Sequence, residues 1–152
     1  MSEDRPNIIA HPPLIVGGMM AAGYIVGEVM GASLPRSFSP FGWLLVILGG
    51  LSGVLGVWQF KTHGTNVIPH KPALRLVTDG IYRLTRNPMY VGLLAIHAGL
   101  AFIFTNAGML IFWPASALML HFGVVVPEET YLTQKFGKDY SDYLTNSRRW
   151  LW

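Results

Sequence analysis

Two short stretches of this sequence carry side chains suited to binding charge, Arg86-Asn87-Pro88-Met89-Tyr90-Val91-Gly92 and Glu128-Glu129. Asn87-Pro88 is the pattern of a helix start, with Asn as N-cap and Pro at the first helical position. A helix N-terminus with free N–H groups beside arginines is also an anion site. Thr78-Asp79-Gly80 is a generic turn, and Phe136-Gly137 reads as a helix stop with Gly in the left-handed cap position. Glu128-Glu129, taken alone, is equally well a solvated helix end. The chain has no cysteine, which excludes disulfides, thiolate metal sites and cysteine nucleophiles.

The elements that must position these residues are membrane spans. Of 152 residues, 51% are hydrophobic and only 12% charged, about half the charge of a soluble domain. Between Pro12 and Pro35 the one formally charged side chain is Glu28, and none occurs from Ser37 to Phe60 or from Pro88 to Pro127. Uncharged apolar runs of about 20 residues match a bilayer core. The pattern predicts an all-α polytopic membrane protein, one domain over 1–152, with four helices at about 13–34, 41–60, 88–104 and 107–127. The start at Met1-Ser2-Glu3-Asp4-Arg5 is acidic and does not resemble a signal peptide. Gly17, Gly18, Gly23, Gly27 and Gly31 in the first span, and Gly49, Gly50, Gly53 and Gly56 in the second, read as close helix packing. They would serve a dimer as well as an intramolecular bundle. Thr105-Asn106 is the polar break of a tight hairpin, and Pro114 is placed to kink the fourth helix.

Lys61, Lys71, Arg75, Arg83 and Arg86 follow the second span, and Lys135, Lys138, Arg148 and Arg149 follow the fourth. Of 11 Lys and Arg, only Arg5 and Arg36 lie elsewhere. The positive-inside rule puts this side, and with four spans both termini, in the cytoplasm. A pI near 9.4 is then a matter of topology and not of nucleic-acid binding. Two histidines fall inside spans. His97 and His121 both lie about 10–14 Å from the cytoplasmic end, placed to meet across the hairpin. Intramembrane ionisable groups lean functional, against the alternative of satisfied interhelical hydrogen bonds. Glu28 is similarly open.

The order of the remaining motifs is specific. It runs Gly64-Thr65, Leu76-Val77-Thr78-x-Gly80-x-Tyr82-Arg83, Arg86-Asn87-Pro88-Met89-Tyr90-x-Gly92, an apolar hairpin, Glu128-Glu129-x-x-Leu132-x-x-x-Phe136-Gly137, then Tyr140 and Tyr143. From about Gly64 onward this resembles the isoprenylcysteine carboxyl methyltransferase family, especially its short bacterial members, and more distantly phospholipid N-methyltransferases. Eukaryotic members typically have Arg-His-Pro where this chain has Arg86-Asn87-Pro88; bacterial relatives often carry Asn there.

The resemblance implies an S-adenosylmethionine-dependent methyltransferase in the bacterial inner membrane, with the cofactor held at the cytoplasmic boundary. It implies Arg86, Glu129 and Tyr90 as catalytic residues. Leu76, Val77, Gly80, Tyr82, Arg86, Asn87, Tyr90, Glu128 and Glu129 are implied as the cofactor site. An arginine or helix N-terminus suits the cofactor's carboxylate, a glutamate its ammonium or diol, and an aromatic face its sulfonium. No metal is required. His97, His121, Arg148 and Arg149 are candidates for holding an amphipathic or lipid-like acceptor entering from the bilayer; Arg148 and Arg149 read equally as a membrane-surface pair. The rival readings are an NADPH-dependent reductase related to sterol reductases and a non-enzymatic membrane scaffold.

Overall fold

A computed structural model describes residues 4–68 and 71–151, so the acidic start Met1–Glu3 lies outside it. The chain folds as α1 (Pro12–Met30), a 3-10 turn (Arg36–Phe38) leading into α2 (Ser39–Thr62), a 3-10 turn (Gly80–Arg83), α3 (Pro88–Ile103), α4 (Ala107–Leu120), a π turn (His121–Val125), α5 (Val126–Phe136) and α6 (Lys138–Asn146). No strand occurs among the described residues; an isolated bridge pairs Ser33 with Asn106.

Four helices form an antiparallel bundle whose register is set by missing side chains. Along α2 and α3, a Cβ on Gly42 would fall 2.6 Å from the Gly99 carbonyl oxygen, and one on Gly49 would fall 2.6 Å from that of Gly92. Gly23 and Gly108 make the same close approach between α1 and α4. Without a hydrophobic drive in lipid, such backbone contact is what brings helices together. Packing does not account for every glycine of the first two spans. Side chains added at Gly17, Gly18, Gly50 and Gly53 would meet nothing within 4 Å.

Outside these contacts the bundle is greasy. Leu14, Ile25, Val29, Ile47, Leu51, Val54, Ile111 and Phe122 are all exposed, a surface suited to lipid and not to water. The chain is an integral membrane protein.

Three stretches are long and apolar enough to cross a membrane, Pro12–Met30, Arg36–Thr62 and Ala107–Phe136. The third expected span is shorter. α3 has 16 residues, about 24 Å of helix against a hydrocarbon core of about 30 Å. It nonetheless pairs with α2 along its length and returns the chain to the end it left. The first span ends early, at Met30, because Gly31 takes φ +62° and closes it. The fourth does not stop at 127 but continues through the π turn into α5.

At the hairpin tip Thr105 takes φ +52°. Asn106 caps α4 by accepting from the Met109 N–H at 3.1 Å, while its amide donates to Glu28 and to the Tyr24 carbonyl, both at 3.2 Å. Glu28 thus has an interhelical partner. The two histidines do not meet. His97 is fully buried, with its ring nitrogens 3.0 Å from the Met109 carbonyl and 3.0 Å from Ser116 Oγ. His121 lies more than a turn further on and accepts from the Trp150 indole at 3.4 Å.

Candidate active site

The site is built where the start of α3 meets α5. Pro88 opens α3 as expected, but Asn87 does not cap it with its side chain. The Asn87 carbonyl accepts from the N–H groups of Tyr90 (3.1 Å) and Val91 (3.0 Å). Its amide instead donates 2.9 Å to the Arg149 carbonyl. Pro88 has no N–H and that of Tyr90 is bonded, which narrows the anion site expected of a free helix N-terminus.

Arg86 is spent in the same way. Its Nε lies 3.2 Å from Glu129 Oε1, and its Nη1 donates to the carbonyls of Ser147 at 2.6 Å and Leu144 at 3.2 Å. Arg149 grips the same carboxylate, Nε to Oε1 at 3.0 Å and Nη2 to Oε2 at 2.5 Å. Backbone bonds complete the clamp. The Arg86 N–H donates to the Arg148 carbonyl at 2.8 Å, and Thr85 Oγ1 donates to that of Arg149 at 3.0 Å. Two guanidinium groups on one largely buried carboxylate lash the C-terminal segment to α3 and α5.

Glu128, one residue earlier, is left differently. Tyr90 donates to its Oε1 at 2.8 Å, and among the described residues no cation pairs with it. It faces a cavity open to the surface on one side. Leu76, Val77, Tyr82, Arg86, Asn87, Tyr90, Glu128 and Glu129 all line this cavity, so eight of the nine residues implied as cofactor site converge in one place. Gly80 is the exception. It turns the chain at φ +57° beneath Gln59, whose amide donates 2.7 Å to Asp79. His97, His121, Arg148 and Arg149 are not part of the lining.

The wall opposite α3 is irregular chain pinned by side chains. Thr65 Oγ1 accepts from the N–H groups of Leu74 (3.0 Å) and Arg75 (3.2 Å). The Ala73 N–H donates 3.0 Å to Tyr131 Oη, and Tyr131 in turn donates 2.9 Å to Asp4. Phe60 stacks on Tyr82, ring centroids 5.1 Å apart, and Tyr143 Oη donates 2.7 Å to the Tyr82 carbonyl. Burial pushes the phenols of Tyr82 and Tyr140 well above their ordinary range, and that of Tyr143 up to about 12, despite the counter-effect of Arg86 on the latter two.

Phe60, Met89, Tyr131 and Leu132 also line the cavity, and reading the sequence assigned them no role. Tyr131 and Leu132 had a signal, since positions three and four beyond Glu128 share its helix face. Phe60 had none, because an aromatic at the end of a span is common.

A model of the phospholipid methyltransferase family matches residues 38–139, from the start of α2 into α6. The chain belongs to this family. It is 31% identical over 109 residues to protein-S-isoprenylcysteine O-methyltransferase B of Arabidopsis thaliana, covering 69% of this chain and 54% of that one. A probable protein-S-isoprenylcysteine O-methyltransferase of Oryza sativa subsp. indica is 30% identical over 109 residues, 67% of this chain and 54% of the relative. This chain thus spans about half the length of the curated relatives it matches. No solved structure matches it. The family's matched region includes every lining residue named here, from Phe60 to Leu132, and it leaves out α1 and the cavity-lining residues Tyr140 and Tyr143.

Proposed function

We propose that this chain is an S-adenosylmethionine-dependent methyltransferase of the bacterial inner membrane, with the cavity end of the bundle in the cytoplasm. Family membership supports methyl transfer. The observation that carries the cofactor assignment is Glu128, a carboxylate facing the cavity with no cation paired to it among the described residues, beside a neighbour saturated by two arginines. A cationic ligand fits that arrangement. When bound, S-adenosylmethionine supplies a methyl group on a sulfonium, and transfer to an oxygen, nitrogen or sulfur of the acceptor leaves S-adenosylhomocysteine and releases the proton of the attacked atom where it has one.

The chain's own residues then have distinct tasks. Glu128 accepts hydrogen bonds from the ligand's ammonium, and Tyr90 fixes the carboxylate's orientation from behind. Arg86, Glu129 and Arg149 are positioning residues, which hold the C-terminal segment against the cavity. Phe60, Leu76, Val77 and Leu132 supply apolar wall, which excludes water so that orientation of the acceptor dominates the rate. The acceptor is lipid-like or amphipathic, since the exposed flanks of the site lie in the bilayer.

Calorimetric binding of S-adenosylmethionine and S-adenosylhomocysteine to detergent-purified protein tests this reading. Wild type binds both, Glu128→Gln loses affinity while keeping its melting temperature, and Arg86→Ala loses both. A well-folded wild type that binds neither ligand, in detergent or in lipid, overturns the assignment.

A further inference from the structure

The segment before α1 crosses the edge of the active-site cavity, and its two ends are held by unequal means. Toward α1 it is fixed in the core. Ile8 is buried in one cluster with Tyr90, Leu94, Val124 and Val125. The Ile9 N–H donates to the Gly123 carbonyl at 3.0 Å, and a Cβ added at that glycine would strike the Ile9 side chain. The other end is held at the surface. The Asp4 carboxylate accepts from Lys135 Nζ at 2.6 Å and 2.7 Å and from Tyr131 Oη at 2.9 Å, yet the Asp4 side chain is 61% exposed. Between the two ends sits Pro6, which is buried and lines the cavity.

That difference in strength makes the segment a movable part. A packed, buried Ile8 holds by the apolar surface it removes from water. An exposed ion pair is screened by salt and opposed by side-chain entropy, so it holds weakly. The Asp4 end therefore opens far more often than the Ile8 end. Opening is not confined to the segment itself. Tyr131 Oη accepts from the Ala73 N–H at 3.0 Å and from Lys135 Nζ at 3.0 Å while donating to Asp4. One phenol thus joins the N-terminal segment, α5 and the irregular wall that continues into Leu76 and Val77. Pro6, Ala73 and Tyr131 all line the cavity, and the exposure of Asp4 puts this corner at the surface. The family's matched region begins at residue 38, so the N-terminal segment lies outside it.

We infer that residues 4–8 are a strap at the mouth of the cavity, latched by Asp4 on Lys135 and Tyr131 and hinged at Ile8, whose opening admits and releases the cavity's ligand. Naming that ligand S-adenosylmethionine rests on the proposed function; the strap itself does not. Tyr131 is a positioning residue in this scheme, holding strap and wall together. A gate speeds entry and exit alike and leaves the affinity where it was, whereas a lost wall contact speeds exit alone.

Two rates test this, one of them without any ligand. Because the chain has no cysteine, Val77→Cys places a single reporter in the cavity lining, at a position only 5% exposed. Its reaction with a water-soluble maleimide should quicken about three- to fivefold in Asp4→Asn, which gives up the ion pair but keeps an acceptor for Tyr131, at an unchanged melting temperature. Lys135→Gln, breaking the pair from the other side, should do the same. The second rate is S-adenosylhomocysteine exchange by stopped flow. Association and dissociation should both quicken in Asp4→Asn with Kd unchanged. Both should slow when Asp4→Cys and Lys135→Cys are joined by a short bis-methanethiosulfonate, and recover on reduction. Rates that ignore both the substitutions and the cross-link overturn the inference, as does a dissociation rate that rises alone. Should Val77→Cys labelling follow the latch in a protein that binds no S-adenosylhomocysteine, the strap stands and the cofactor reading falls. Should the ligand bind and the labelling ignore the latch, the strap falls and the cofactor reading stands.

Discussion

Glu129 shares its oxygens between Arg86 and Arg149, so its charge is answered from within the chain, whereas among the described residues Glu128 has a single phenol as partner. The two should respond differently to substitution. Glu128→Gln keeps the hydrogen bond from Tyr90 and removes the charge, and should weaken S-adenosylmethionine binding about tenfold or more, the scale of one charge-assisted hydrogen bond. Glu129→Gln should instead loosen the C-terminal segment and appear first as a lower melting temperature. A pH effect also belongs to single residues. Burial raises Tyr143 to about 12, against about 10 in the unfolded chain. The folded state therefore holds its proton longer. That contribution is intact below pH ~10 and is lost as pH rises through 12. Thermal melts across pH 8–12 should fall over the upper two units, and less steeply in Tyr143→Phe.

At the scale of elements, α2 and α3 depend on backbone contact at Gly42 with Gly99 and Gly49 with Gly92. Gly99→Val puts its Cβ 2.6 Å from the Gly42 carbonyl oxygen, a rigid backbone neighbour. Overpacking of this kind costs about 1–3 kcal/mol or more and should lower the melting temperature far more than Gly50→Val, where nothing lies within 4 Å. Asn106→Ala removes the α4 cap, about 1 kcal/mol, and also takes the amide away from Glu28. The π turn His121–Val125 is an element of another kind. Its Gly123 carbonyl accepts from the Ile9 N–H at 3.0 Å, tying the segment before α1 to the helix that carries Glu128. Such turns cluster near functional sites.

Over the whole molecule, charge follows the bundle axis. The antiparallel contacts put the start of α1, the end of α2, the start of α3 and the start of α5 at one end, with every Lys and Arg except Arg36 on the segments gathered there. Because the chain has no cysteine, single cysteines report sidedness cleanly. In intact cells a membrane-impermeant maleimide should label Ser37→Cys and spare Lys138→Cys; the reverse pattern would invert the orientation.

The membrane class, the helical hairpin and its Thr105-Asn106 tip were legible in the sequence because each is local. An uncharged run or a turn dipeptide carries its meaning wherever it folds. Eight residues that line the cavity were legible as a group, since the order of motifs survives along the chain, while Phe60 and Met89 were given no role. Partners were not. Nothing local in Arg86 or Glu129 says that they bind each other and the C-terminal backbone, nor in Asn87 that its amide turns from its own helix to Arg149. His97 and His121, equally deep by residue count, go to different neighbours because helix rotation decides which face meets which. The unequal fates of Gly49 and Gly50 make the same point. One residue along a helix is a turn of about 100°, enough to separate a packing seam from open space, and only the placement of α3 against α2 decides which is which.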